Sequence, residues 1–387
     1  MLYGIIKNIK QLRYGAFIAG IACFLALGVE AGTHDGTADL DLNSLGAPSG
    51  VCVDKSNDRI YVCDTNNNRV LWWNNSVSLA EQKPPDGVLG QQDFYLSSPN
   101  QGAMVAANTL SRPSGVSVDN FGNVWVADSG NNRVLKYGLP MNNGINAKLV
   151  LGQIDFISDI GNSAAANTLF NPIGVSVDPA GNVWVADYGN NRVLQYNRPT
   201  SNGENADMVL GQENVISSAI NQGGPVGANT LNGPTAISFD DSGNVWVVDL
   251  GNNRVLQYNN PAGNGVSASL VLGQSDFVSN VWNRSEQKIT TANMLSAPYG
   301  VSVDASGNVW VTDQSNHRIL TYNKPKTNGA DATKVIGQAD FAGNSVNRAG
   351  PAALNTLNFP QGISFDASDD VWIADSGNNR VLKYNRD

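Results

Sequence analysis

The sequence predicts an all-β protein, a six-bladed β-propeller with four antiparallel strands in each blade. One segment of about twenty residues recurs six times, and the aspartates at its second turn lie between 59 and 64 residues apart. Each unit contains four short β-branched or apolar runs separated by turn residues. No sustained helical period follows residue 31. Long repeat units that hold several strands are typical of propeller blades.

The repeated segment reads GVSVDxxGNVWVADxGNNRVLxY in its most typical form. GVSVD, NVWVAD and RVLKYN are predicted strands, because they are short and rich in β-branched and aromatic residues. Asp-x-x-Gly-Asn between the first two predicts a tight hairpin, in which glycine adopts a positive φ. A fourth run ends in Leu/Ile-Gly-Gln, with glutamines at 91, 153, 212, 274 and 338.

The closure of the ring follows from the unit that lacks this fourth run. The sixth unit stops at Asp387 after its third strand, while residues 38–42 partly match the fourth strand of the third unit at 206–210. We therefore expect the N-terminal segment to complete the last blade, which leaves no exposed sheet edge.

The first 31 residues have the pattern of a signal peptide. Lys7, Lys10 and Arg13 precede an apolar run from Tyr14 to Val29, and small residues stand before a cleavage point after Ala31. An uncleaved N-terminal anchor is the alternative, although the run is short for a spanning helix. The prediction is a leader at 1–31, a propeller at 32–387 and a secreted, periplasmic or cell-surface location.

The charge restricts the classes of partner. The chain carries 24 Lys and Arg against 33 Asp and Glu, a net charge of −9, and removal of the leader, whose net charge is +2, leaves about −11. Such an acidic body has no evident means of holding a phosphate backbone. We expect neither nucleic acid nor an anionic membrane as a partner, apart from the N-terminal anchor if it is retained.

The motif Asn-Val-Trp-Val-Ala-Asp followed by Asn-Asn-Arg-Val, as at 123–128 and 131–134, resembles the NHL repeat family over nearly all of residues 37–387. The units here are longer, because an insertion follows each LGQ. The resemblance implies a propeller that binds a partner, as many members do. It also covers peptidyl-amidoglycolate lyase and gluconolactonase-like hydrolases, which use central metals.

Residues that recur in every blade are most simply explained by blade construction. The turn aspartate and the arginine five residues later are predicted to pair across adjacent strands. The six pairs are Asp64 and Arg69, Asp128 and Arg133, Asp187 and Arg192, Asp249 and Arg254, Asp313 and Arg318, and Asp375 and Arg380. An aromatic residue also recurs in the second strand, where packing between blades is favoured over an aromatic cage: Tyr61, Trp125, Trp184, Trp246, Trp310 and Trp372.

Cys52 and Cys63 lie on neighbouring strands of the first blade. Disulfides persist in exported proteins, and paired strands bring backbones close. Whether the two form a disulfide depends on the strand register, so bonded and free forms are equally expected.

The candidate binding face is the one with the long insertions at 92–107, 154–166, 213–228, 275–292 and 339–354. Loops after the second and fourth strands share a face in a propeller, and long loops on a rigid scaffold commonly bind partners. Positions that differ between blades near the channel mouth are Ile173, Tyr188, Leu250 and Tyr299. Blade-specific residues in the insertions are Tyr95, Trp282, Arg284 and Arg348.

The predicted function is a non-catalytic scaffold that engages a protein or a glycan through this face. One alternative is a metal-dependent lyase or hydrolase at the channel mouth; the other is a structural surface or filament subunit. The chain has only His34 and His317, and it lacks nucleophile-elbow, phosphate-loop and haem motifs. No cofactor is therefore expected, and calcium has no supporting motif.

Overall fold

In the computed structural model, six antiparallel sheets form the predicted propeller. The structure describes residues 45–385 except 76–77, 79–82, 140, 162–163 and 285–289. Within that part of the chain, five sheets have four strands and the sixth has three. Strands follow one another in chain order within each sheet, so each blade is a meander.

The strands match the four predicted runs of each unit. The first blade contains β1 Val51–Asp54, β2 Arg59–Asp64, β3 Arg69–Trp73 and β4 Gly87–Leu89. The second contains β5 Pro113–Val118, β6 Val124–Asp128, β7 Arg133–Tyr137 and β8 Leu149–Leu151. The third contains β9 Gly174–Val177, β10 Val183–Asp187, β11 Arg192–Tyr196 and β12 Met208–Leu210.

The second half of the ring repeats this order. The fourth blade contains β13 Pro234–Phe239, β14 Val245–Asp249, β15 Arg254–Tyr258 and β16 Leu270–Leu272. The fifth contains β17 Val301–Val303, β18 Val309–Asp313, β19 Arg318–Tyr322 and β20 Lys334–Ile336. The sixth contains β21 Pro360–Phe365, β22 Val371–Asp375 and β23 Arg380–Tyr384.

Short 3₁₀ helices form the turns on one face. Six follow the second strands, and each ends at a residue with positive φ, an asparagine in five blades and His317 in the fifth. They span Thr65–Asn67, Ser129–Asn131, Tyr188–Asn190, Leu250–Asn252, Gln314–Asn316 and Ser376–Asn378. Four more lie in the insertions at Pro99–Gly102, Ile220–Gly223, Trp282–Arg284 and Val346–Ala349.

The predicted Asp–Arg pair is present in all six blades. The arginine Nε donates to the aspartate Oδ2 at 2.6 to 2.8 Å. In the second blade Asp128 also accepts from the backbone N–H of Ser111 at 2.7 Å and from Asn131 at 2.8 Å. The twelve buried charges of these pairs thus have an opposite charge as a hydrogen-bond partner, as burial of a charge requires.

The hydrophobic core lies between blades, which confirms the packing interpretation of the repeated aromatic residues. Trp125 of the second blade packs in one cluster with Val183 and Tyr196 of the third. Its indole N–H donates to Asp119 of its own hairpin at 3.3 Å. Each blade therefore covers the apolar face of its neighbour.

The ring closes where the first blade meets the sixth. The backbone N–H of Val53 in the first blade donates to Ser364 Oγ in the sixth at 3.2 Å. Ala47 N–H donates to Asn379 Oδ1 of the same sixth blade at 2.8 Å. The first and last blades are therefore adjacent, as a closed ring of six requires.

The leader at 1–31 and the strand at 38–42 lie outside the described residues, so both remain predictions. No helix in the described part of the chain is long and apolar enough to cross a membrane.

Of the two forms that the sequence left open for Cys52 and Cys63, the structure has the free one, because both thiols are unbonded. Cys52 lies opposite Tyr61, and Cys63 instead donates its backbone N–H to Gly50. The two cysteines are therefore diagonal neighbours, and diagonal pairs are about 7–8 Å apart, beyond the usual reach of a disulfide. Burial raises the pKa of the Cys52 thiol to about 12, so it is uncharged at neutral pH.

Candidate functional site

The buried arginines hold the insertions in place on the loop face, the face with the 3₁₀ turns after the second strands. In the second blade Arg133 Nη1 donates to Phe156 O at 2.6 Å in the insertion that follows. Its Nη2 donates to Ala106 O and Thr109 O at 2.8 and 2.9 Å in the segment that precedes the blade. One guanidinium therefore fastens two loops, and it recurs around the ring.

Side-chain amides fasten the same insertions to the next blade. Asn100, in the first insertion, exchanges hydrogen bonds with Asn131 of the second blade at 2.8 and 3.0 Å. Asn347 and Asn378 make the same exchange between the fifth and sixth blades. These reciprocal bonds give the loop face fixed geometry, which is the condition for a preformed binding surface.

Exposed apolar side chains, here called the rim, lie on these insertions around the loop face. Each member directly follows the residue whose carbonyl accepts the arginine Nη1, so the members occupy equivalent positions. They are 64% to 93% exposed and consist of Tyr95, Ile157, Ile216 and Val278. The fifth insertion has Ala342 at this position.

A second set of exposed residues extends the rim. These residues precede the asparagine or glycine of the insertion turn, and they are Ile160, Ile220, Trp282 and Val346. The structure therefore places the sequence candidates Tyr95 and Trp282 on one apolar feature together with six aliphatic residues that sequence reasoning missed. The first set lies at an equal offset, four residues after the glutamine of each LGQ motif, and this spacing is the signal that could have identified it.

The two arginine candidates in the insertions differ from the rim. The backbone of Arg284 ends the 3₁₀ helix Trp282–Arg284. Arg348 donates to the carbonyls of Gly337 and Gln338 at 3.4 and 3.1 Å. Gln101 stands at the equivalent position of the first insertion and donates to the corresponding carbonyl, that of Gly90. Both side chains therefore hold their own insertion in shape.

The channel mouth is a cavity of about 440 Å³ on the loop face. The hydroxyl-bearing residues Ser49 and Ser114 line it. Each hydroxyl donates to a backbone carbonyl of the next blade at 2.9 Å. Ile173 and Tyr299 occupy the corresponding positions of the third and fifth blades and line the same cavity. Two of the four predicted mouth residues therefore line this cavity. Their side chains are larger than the serines of the first two blades, whose hydroxyls bond to the next blade.

The other two predicted mouth residues lie beside this cavity. Tyr188 packs on Gly233, where an added Cβ would lie 2.8 Å from the tyrosine Cε2. Leu250 begins its 3₁₀ turn and is half-buried. Neither lines the cavity itself, so the apolar patch is smaller than the sequence suggested.

Arg112 is the mouth residue that sequence reasoning missed. It stands before the proline that enters β5, with φ of 50°, and its exposed side chain lines the cavity. Burial raises the pKa of Tyr299, and Arg112 opposes that shift from the other side of the ring. The sequence did contain a signal for this position, because the residue before that proline varies between blades. The equivalent residues are Ala47, Asn171, Gly233, Ala297 and Phe359.

Comparison with known proteins decides the family. The NHL repeat matches six segments, at 45–73, 110–137, 171–196, 231–258, 295–322 and 357–384. This chain belongs to the NHL-repeat family. Each matched segment covers the first three strands of one blade of this NHL propeller, and the insertions fall between the matches.

Curated relatives resemble part of the NHL propeller. Peptidyl-alpha-hydroxyglycine alpha-amidating lyase 1 of Drosophila melanogaster is 26% identical over 169 residues, 40% of this chain and 28% of the relative. NHL repeat-containing protein 3 of Mus musculus is 26% identical over 176 residues, 44% of this chain and 41% of the relative. The match thus spans less than half of either relative.

A solved structure supports the fold alone. The WD40 β-propeller domain of Doa1 superposes with a TM-score of 0.52 and 10% sequence identity, and the alignment covers 92% of this chain and 98% of that one.

 At 10% identity, this likeness concerns the propeller architecture and carries no statement about function.

The opposite face of the NHL propeller carries notches between blades, beside the tryptophans of the second strands. Cavities of about 450, 640 and 290 Å³ lie beside Trp125, Trp184 and Trp310. Because the notch recurs with the tryptophan, blade construction explains it. The loop face instead carries positions that differ from blade to blade.

Within the described residues, no group of three or more His, Cys, Asp or Glu side chains is placed to hold a metal ion. His317, the histidine that the structure describes, is buried in its turn and accepts a hydrogen bond from the backbone of Phe359.

Proposed function

We propose that this protein is an exported, non-catalytic scaffold that binds a protein partner through its loop face. The rim is the observation that carries the proposal. Exposed isoleucine, valine and aromatic side chains recur at equivalent positions on loops that buried arginines and paired amides hold in place. A recurrent apolar set on rigid loops is suited to burial against another surface.

A protein suits this rim better than a glycan does. Most of the exposed rim side chains are aliphatic, and aliphatic tips gain free energy chiefly by burying apolar area. The family fold agrees with protein binding, although fold by itself does not determine function. The sequence also allowed a glycan partner, and recovery of a glycan is one of the outcomes of the experiment below.

The experiment is capture of partners by the purified protein from the host's extracytoplasmic fraction. The rim variant is Ile157→Ser with Ile216→Ser, two side chains that are 70% and 64% exposed. The matched control is Phe121→Ser, which removes an 83% exposed side chain from a hairpin on the opposite face. We expect the rim variant to reduce captured protein about tenfold, the Phe121→Ser control to retain it, and both to keep the melting temperature.

Four other results would contradict this proposal. Equal capture by the rim variant would show that the partner binds elsewhere. Recovery of glycan alone would replace the protein partner, and concentration-dependent self-assembly that the rim variant abolishes would indicate a structural subunit. Stoichiometric, tightly held zinc or calcium in the purified protein would favour the metal-dependent lyase or hydrolase.

A further inference from the structure

Arg112 brings an unpaired positive charge to the channel mouth. Within the described residues its guanidinium has no ion pair, and its backbone N–H donates to Asn68 Oδ1 at 2.8 Å. The chain carries 33 Asp and Glu against 24 Lys and Arg, yet no carboxylate of the described residues lines the mouth cavity. An arginine left without an acid in so acidic a chain indicates a site for an external anion.

The neighbours of Arg112 define what kind of anion fits. Ile173 and Tyr299 supply apolar walls to the same cavity, and Asn66, Asn171 and Gln361 supply amides. The hydroxyl of Ser114 is already engaged with a carbonyl of the next blade. This combination matches a small planar anion on an organic group, because a guanidinium binds a carboxylate through two parallel hydrogen bonds.

We propose that the mouth binds a carboxylate presented by the protein partner, with Arg112 as its counter-ion and with Ile173 and Tyr299 against the group that carries it. This inference rests on the proposed function and specifies which chemistry the partner brings to the mouth. The carboxylate belongs either to an acidic side chain or to the partner's C-terminus. Two peptide probes, one for each source, distinguish them by which probe binds.

The experiment titrates short peptides into the full protein and follows the Nε–H signal of Arg112 by NMR together with the heat of binding. One probe is acetyl-glycyl-phenylalanine with a free carboxylate, and its amide is the uncharged match. A second probe, acetyl-aspartyl-glycinamide, places the carboxylate on a side chain. We expect at least one carboxylate probe to bind and the amide to bind at least about tenfold more weakly.

Two variants assign the binding to Arg112. Arg112→Gln should lower the affinity of the carboxylate probe about tenfold, and added salt should weaken binding to the unmodified protein. Arg198→Gln is the control, because Arg198 is engaged with the carbonyl of Ala180 beside a notch of the opposite face. That control should bind the probe as the unmodified protein does, and both variants should keep the melting temperature.

The inference is overturned if no carboxylate probe binds up to about 10 mM, if the amide binds equally well, or if Arg112→Gln retains the affinity. Failure here is separable from failure of the proposed function. Capture of the protein partner that depends on Ile157 and Ile216 but not on Arg112 would keep the scaffold and remove the carboxylate site. If the carboxylate probes bind through Arg112 but capture of protein does not depend on Ile157 and Ile216, the carboxylate site stands and the proposed function fails.

Discussion

At the scale of single residues, His317 shows how one blade replaces a repeated side chain with a titratable one. In the other turns an asparagine with positive φ accepts a backbone hydrogen bond; Asn68, for example, accepts from Arg112. His317 has φ of 52° and accepts from the N–H of Phe359 through Nδ1 at 3.1 Å. Its unprotonated nitrogen thus takes the role of the amide oxygen, and burial lowers the pKa of His317 below 6.5.

This lowered pKa predicts a loss of stability in acid. The unfolded chain binds a proton near pH 6.5 while the folded chain does not, so the contribution of His317 is present above that pH and is lost as pH falls below it. His317→Asn should reduce the stability difference between pH 7.5 and pH 5 by about 1 kcal/mol. Denaturant midpoints of both proteins at the two pH values measure this. Equal acid sensitivity in the two proteins would remove His317 as the cause.

At the scale of elements, the first strands pack so closely around the channel that glycine is required in most of them. A Cβ added at Gly174 would lie 2.4 Å from the backbone oxygen of Thr235 in the next blade. The fourth blade has Ala236 at the equivalent position. The spacing between neighbouring blades therefore varies around the ring by enough to admit one methyl group.

Gly174→Ala tests this close approach through the sign of its effect. Without a clash the substitution would stabilise the protein by about 0.4–1 kcal/mol, because it restricts the unfolded chain. With the clash we expect a loss of about 1–3 kcal/mol in the free energy of unfolding. Ala236→Gly is the control and should cost no more than about 1 kcal/mol. A stabilised Gly174→Ala protein would mean that the blades separate easily.

At the scale of the whole molecule, the contacts at the closure of the ring lie on its inner side. The inner strands join the first and sixth blades directly. On the outside, β20 is less covered than its counterparts, since Val335 is half-buried whereas Val150 and Val209 are fully buried. In the earlier blades a glycine from the next linker covers this strand; Gly203 N–H, for example, donates to Val150 O at 3.0 Å.

The expected N-terminal closing strand gives the matching prediction. A chain that begins at residue 45 should unfold at lower denaturant concentration than one that begins at residue 32, and should associate through the edge of β23. A chain that begins at residue 38 keeps the expected strand and serves as the control. Denaturation and light scattering provide the measurements. Identical behaviour of all three chains would show that residues 38–44 contribute nothing to closure.

The sequence by itself determined the number of blades, the positions of their strands and the Asp–Arg pair of each turn. These features are local, and sixfold repetition of one pattern leaves a single architecture that explains all copies. Tertiary structure alone decided which residues share a surface. It placed Cys52 diagonal to Cys63, brought Arg112 and Tyr299 to one mouth from opposite blades, and left Ile157 and Ile216 exposed. Strand register and the packing of distant loops depend on contacts that no local pattern records.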